Sequence, residues 1–303
     1  MHRWFRQAMA CEFEVVIAAE GAQRQALADI AEFALDEVER LEERFSCFRP
    51  TSEVSYLNSV AAERPVIASP DLFEVLRAAK QVWSDTGGAF DVTAGPLVGL
   101  WRKAERTGIE PDREAIEAAL KKVGMAHVLL DEATHAVRFD CEGVRINLGA
   151  IGKGYAVGRA ASILTEYGIE NALISGGGSS VQGIGPGPDG RGWNVGIRHP
   201  SKLARRVGTI TLNNMAMSTS GGPAQRDPGV RERFEHIIDP VTGDQARSEA
   251  ASVTVVARDP VLADALATAF YLRGKEFADR YCAQHEGVRA VFVPLPSKAW
   301  GRK

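Results

Sequence analysis

Two oxygen-bearing side chains, Asp264 and Thr268, lie four residues apart in the run ADALATAF at 263–270. Four residues is about one helical turn, so a helix opened by Asp259 and Pro260 presents both oxygens on one face, close enough to hold a single cation. Oxygen ligands of this kind suit Mg2+. The rest of that face is Ala, Leu and Phe, where a buried carboxylate is costly unless a cation or hydrogen-bond donors accompany it. A solvent-facing Asp beside a Thr bonded back to its own helix would show the same spacing, and both readings stand at this point.

The segment NLGAIGKGYAVG at 147–158 puts four glycines and Lys153 where a strand should become a helix. A helix start offers unpaired N–H groups and a partial positive charge, glycines let a phosphate approach the backbone, and Lys153 adds a mobile full charge. A tight strand-to-helix turn with a solvated lysine is the alternative. Neither common nucleotide fingerprint is present. Gly154 follows Lys153 where a P-loop needs Ser or Thr, and Val157 and Val181 stand where the third glycine of G-x-G-x-x-G would fall.

Three further segments carry chemistry or merely turn the chain. His236, in FEHIIDPVTG, can titrate near neutral pH and serve as a base, or be a satisfied structural histidine. The segments 176–180 and 219–222 offer hydroxyls and N–H groups suited to a pyrophosphate. The run GGAFDVT at 87–93 combines an aromatic, a carboxylate and a hydroxyl, suiting a ring-and-ribose pocket or an ordinary loop.

These residues need a scaffold, and 303 residues with 45% hydrophobic content supply a sizeable core. A net charge of -3 lacks the electrostatic footprint of a nucleic-acid binder. Four widely spaced cysteines form no C-x-x-C pair, which argues against a zinc cage and a dense disulfide framework. The run Ala8-Met9-Ala10-Cys11 mimics a lipoprotein cleavage site, but MHRWFRQ before it contains no apolar region. No apolar run approaches the length of about twenty residues that spans a bilayer. These features lead us to expect a cytoplasmic protein.

Apolar periodicity and capping signals predict helices over 23–45, 69–84 and 112–123, one from the glycine turn to Tyr167, and two over 261–272 and 275–284. Alternating runs predict a hairpin over 127–140 and a short strand over 145–148. They also predict a meander of antiparallel strands at 171–175, 181–184, 194–198, 208–212 and 215–218, then strands at 252–257 and 288–293. The segment 185–192 is a surface loop. Helices segregated from strands indicate an α+β fold.

Taken in order, FSCFRPTSEVSYLN at 45–58, TGGAFDVTAGPLVGLW at 86–101, NLGAIGKGYAV at 147–157, the glycine stretch from Gly176, STSG at 218–221, HIIDPVTG at 236–243 and DALATA at 264–269 resemble the signatures of the ApbE family, the FAD:protein FMN transferases. The resemblance runs along nearly the whole chain. It implies a single domain over 1–303, α+β and related to the T-fold, with antiparallel sheets packed against helices. The implied activity is Mg2+-dependent transfer of FMN from FAD to a Thr or Ser hydroxyl of a partner flavoprotein, releasing AMP. Hydrolysis of FAD to FMN and AMP, or FAD binding without turnover, are the alternatives. By the family's pattern, Ala150, Asp264 and Thr268 hold the metal. His236 and Asp264 are the catalytic pair, and Met9, Phe48, Gly88, Ala89, Phe90, Asn147, Lys153 and Ile237 contact FAD. The family usually carries Asp where Asn147 stands, Tyr where Phe48 stands, Met-Gly-Thr at 9–11, and Asp at the places of Gly158 and Gly178.

Overall fold

The computed structural model describes residues 1–19, 24–199, 205–221 and 237–295. The chain opens with a hairpin of β1 (His2–Ala8) and β2 (Cys11–Ile17), whose turn residues Met9 and Ala10 both have positive φ, 51° and 58°. That backbone matches the twist of a two-residue hairpin. Helices α1 (Arg24–Phe45) and α2 (Glu53–Val60), strand β3 (Val66–Ile67), and helices α3 (Pro70–Asp85), α4 (Gly95–Thr107) and α5 (Arg113–Leu120) follow. Ser52, Ser69 and Asp112 cap α2, α3 and α5 through side-chain oxygens. The hairpin β4 (Val128–Asp131) and β5 (Ala136–Phe139) leads to α6 (Gly152–Glu166), then β6 (Ala172–Gly176), β7 (Ser180–Ile184), β8 (Trp193–Arg198), β9 (Arg206–Leu212) and β10 (Met215–Gly221). The last described elements are β11 (Ala250–Ala257), α7 (Pro260–Gln284) and β12 (Arg289–Pro294).

A seven-stranded antiparallel sheet in the order β1-β2-β6-β7-β10-β11-β12 is the frame of this α+β fold. Strand alternation gives it two unlike faces. Phe13, Val15, Ile17, Ile174, Val253 and Val255 point to one side, where α1, α6 and α7 bury them in the main core. On the other side Val16, Val181, Met217 and Val256 form a smaller core with Trp193 and Leu212 of the β8-β9 ribbon. Strands β3, β5 and β4 form a separate small sheet. Among the described residues, no helix is long and apolar enough to cross a membrane.

Several expectations are corrected. The meander is interrupted, because β7 pairs directly with β10 while β8 and β9 form a ribbon of their own. The expected strand over 145–148 is only a bridge between Ala94 and Arg145. The two expected C-terminal helices are present as the two stretches of α7, which meet at Gly274, where φ 77° and ψ 179° are not helical.

Helices α6 and α7 cross in close contact. A Cβ on Gly154 would lie 2.7 Å from the Asp264 Cβ and closer still to the Pro260 carbonyl oxygen, and one on Gly158 would lie 2.9 Å from Pro260 Cγ. These glycines are packing residues, four apart on the α6 face that meets α7. The expectation that they give a phosphate room does not hold for them. Gly158 has no space for the carboxylate usual in the family without a shift of Pro260.

A charged cluster ties α1, α3 and α6 together. Arg40 donates to Glu37 at 2.6 Å and to Asp71 at 2.7 Å, and the Tyr155 hydroxyl lies 3.0 Å from an oxygen of both Asp71 and Glu74. Burial opposes the Asp71 charge, but Arg40, Tyr155 and Arg159 outweigh it and hold the carboxyl below its ordinary value of 3.8. A carboxyl so lowered on folding stabilises the protein above pH 3.8, a contribution lost as pH falls from there through the folded value. Asp71→Asn should therefore lower the melting temperature at pH 7, with the gap closing below pH 3.8. Calorimetry of both proteins across that range checks this, and a gap independent of pH would contradict it.

Candidate active site

The carboxylate of Asp264 sits in the first turns of α7, 5% exposed, facing the sheet. Its Oδ2 accepts the Gly154 N–H at 2.9 Å, and its Oδ1 accepts the hydroxyls of Ser180 at 3.1 Å and Ser218 at 2.5 Å. One turn on, the Thr268 hydroxyl pairs with that of Ser220 at 3.0 Å. Asp264 is thus buried and met by donors from three other elements, and Thr268 bonds across to β10. The solvent-facing alternative is excluded.

The turn before α6 is largely self-satisfied. Asn147 Oδ1 accepts the Gly149 N–H at 2.9 Å, and the N–H groups of Ile151 and Gly152 both donate to the Leu148 carbonyl. With Gly154 bonded to Asp264, these amides are not free for a phosphate as expected. The mobile positive charge of Lys153 remains for an anion.

Asp264, Thr268, Ala150 and Lys153 line one cavity of about 640 Å³, in the range of sites that enclose cofactors, about 300–1,000 Å³. Phe48, Ala89, Phe90, Asn147 and Ile237 line it as well. Met9 and Gly88 do not. Ala10 of the β1-β2 turn reaches the wall in place of Met9, and the Gly88 N–H closes the turn after α3 on the Trp83 carbonyl. His236 lies outside the described residues; its neighbour Ile237 is in the wall. Thr219, Ser220 and Gly221 also line the cavity, but as part of strand β10 and not as a turn.

Helix α4, which the periodicity did not reveal, forms another wall through Val98, Trp101, Arg102 and Glu105. Trp101 Nε1 donates to the Gly243 carbonyl at 2.8 Å, and the Arg102 guanidinium lies 4.2 Å from the centre of the exposed Phe48 ring. Asp91, also in the wall, accepts the Thr93 N–H and hydroxyl at 2.7 and 2.5 Å. Burial pushes its pKa up from 3.8 despite these donors. Burial likewise pushes the Cys11 thiol above its ordinary value, against the pull of Lys153.

The donor set fits a hard cation. Among the described residues no three His, Cys, Asp or Glu side chains gather as a metal cage; an ion beside Asp264 and Thr268 would meet one carboxylate and one hydroxyl from these two side chains. Mg2+ is held in that way, completing its shell with water and substrate phosphates.

The description "ApbE family" belongs to the family model that matches residues 9–292. An FAD:protein FMN transferase of Klebsiella pneumoniae (strain 342) is 32% identical over 257 residues, spanning 84% of this chain and 79% of that protein. Another, of Treponema pallidum (strain Nichols), is 31% identical over 283 residues, spanning 88% and 78%. Among solved structures, the ApbE protein from Thermotoga maritima superposes with a TM-score of 0.84 at 30% identity, covering 99% of this chain and 98% of that one. The flavin transferase ApbE from Vibrio cholerae gives 0.82 at 28%, covering 97% and 94%.

Proposed function

This chain belongs to the ApbE family, and from that premise we propose that it is an FAD:protein FMN transferase. It uses Mg2+ to move the FMN moiety of FAD onto a Thr or Ser hydroxyl of a partner flavoprotein. The acceptor oxygen attacks the FMN phosphorus, the bond to the bridging oxygen breaks, and AMP leaves with that oxygen. The observation that carries this reading is the convergence of Ala150, Lys153, Asp264 and Thr268 on one cavity. That residues from Ala10 to Leu272 share its wall supports reading 1–303 as one flavin transferase domain.

Ala150, Asp264 and Thr268 would hold the cation, which when bound would draw charge from the pyrophosphate and ease departure of AMP. Lys153 places its ammonium beside the same anion. Phe48 and Ile237 offer apolar surface to the flavin ring, and Phe90 packs in the core behind the wall. His236, next to Ile237, takes the proton of the acceptor hydroxyl. Asn147 keeps the acceptor oxygen that a carboxylate would supply while removing its charge.

The reading is tested by incubating the protein with FAD, Mg2+ and candidate acceptor flavoproteins, following AMP and covalent in-gel flavin fluorescence. Flavinylated acceptor in step with AMP supports it. Free FMN without an acceptor would favour hydrolysis, and FAD binding with no AMP at saturating Mg2+ would favour a non-catalytic binder. Lys153→Ala should raise KM for FAD about 10- to 100-fold, since a charge-assisted hydrogen bond contributes roughly 1.5–3 kcal/mol. An unchanged KM would remove Lys153 from the FAD site.

A further inference from the structure

On the helix-facing side of the large sheet, β2, β6 and β11 present apolar side chains to the core, while β7 and β10 present three serines. Ser180 and Ser218 are directly opposed in the register, and Ser220 stands two residues further along β10. Ser180 and Ser218 are each 1% exposed. A buried hydroxyl in an apolar layer is costly without a partner. Both converge on Oδ1 of Asp264, while the Gly154 N–H fixes Oδ2. Three donors from three elements therefore set the plane of one carboxylate; the two serines fill the lone-pair sites of Oδ1, and Oδ2 keeps one for a further ligand.

The pairing repeats one step on. Two residues of strand advance about 6.6–6.8 Å and four residues of helix about 6 Å. Ser218 and Ser220 on β10 therefore keep pace with Asp264 and Thr268 on α7, hydroxyl against oxygen at both rungs. We propose that Ser180 and Ser218 are positioning residues that hold the Asp264 carboxylate for the cation, and that Ser220 does the same for Thr268. This rests on the reading of the cavity as a Mg2+-dependent FAD site. It assigns the serine face of the sheet to metal affinity and not only to the burial of Asp264.

The test is Mg2+-dependent FAD binding, followed by flavin fluorescence anisotropy on the whole protein without an acceptor. In a Ser180→Ala, Ser218→Ala double variant the Mg2+ concentration for half-maximal binding should rise about 10- to 100-fold, the usual effect of removing partners that orient metal ligands. FAD affinity at saturating Mg2+ should change little. Ser218→Thr, which keeps the hydroxyl, should retain most of the response that Ser218→Ala loses. Should the double variant fail to fold, Ser220→Ala, acting through Thr268, carries the same expected shift. A lower melting temperature with an unchanged Mg2+ midpoint would overturn the proposal and leave the serines a packing role. Wild-type binding of FAD indifferent to Mg2+ would overturn the functional reading itself, and the proposal with it.

Discussion

Asp264→Ala should abolish AMP release, with a fall of roughly 10³-fold or more. The side chain is the one carboxylate among Ala150, Lys153, Asp264 and Thr268, the four groups that converge in the cavity. A ligand that holds a charge-stabilising cation accounts for several kcal/mol of barrier, at 1.36 kcal/mol per tenfold. The variant should also melt earlier, because the Gly154 N–H and two serine hydroxyls lose their shared acceptor, at about 1–3 kcal/mol for each buried group left unpaired. Asp264→Asn separates the effects, since it keeps an acceptor oxygen and the volume but not the charge. Chromatographic assay of AMP beside thermal melts of both variants decides the matter. Substantial activity in either variant would refute the metal-ligand role.

Gly154→Ala should disrupt the crossing of α6 and α7 and lower stability markedly. The new Cβ would meet backbone on α7, which cannot rotate away, so the α6–α7 crossing must open. Overpacking of this kind costs about 1–3 kcal/mol. At roughly 2–4 °C per kcal/mol for a chain of some 150–250 residues, a fall of several degrees is expected here. Opening the crossing also draws the Gly154 N–H from Asp264, so the Mg2+ requirement should rise together with the loss of stability. Gly158→Ala meets only the Pro260 ring and should be milder. Equal melting temperatures for wild type and Gly154→Ala would show that the contact is slack.

These effects differ in how far the sequence foretells them. The Asp264–Thr268 pair was legible because helical periodicity alone puts them on one face. The serines were not, since strand faces alternate every residue and only the register reveals that Ser180 and Ser218 share the helix side. The β1-β2 hairpin hid behind a turn of Met9 and Ala10, which lack the Asn or Gly that announces positive φ. Helix α4 begins at Gly95-Pro96 inside a run dominated by loop signals, and Ala94 supplies no side-chain cap. The glycines of α6 signalled a close approach correctly, but one sequence cannot say whether the approaching atom belongs to a ligand or to another helix. The resemblance located most of the cavity wall. Tertiary contacts moved the emphasis from Met9 to Ala10 and added α4.

The sheet order also sets a timetable. β2 pairs with β6, so the N-terminal hairpin finds its inner neighbour only after more than 150 residues have intervened. The Gly154–Asp264 bond spans another 110. Such long loops must close before their contacts reward them, which slows assembly. The cavity therefore forms late in the life of a nascent chain. Until α7 has left the ribosome and seated against α6, the cavity wall lacks Asp264 and Thr268, and the emerging chain cannot assemble the site.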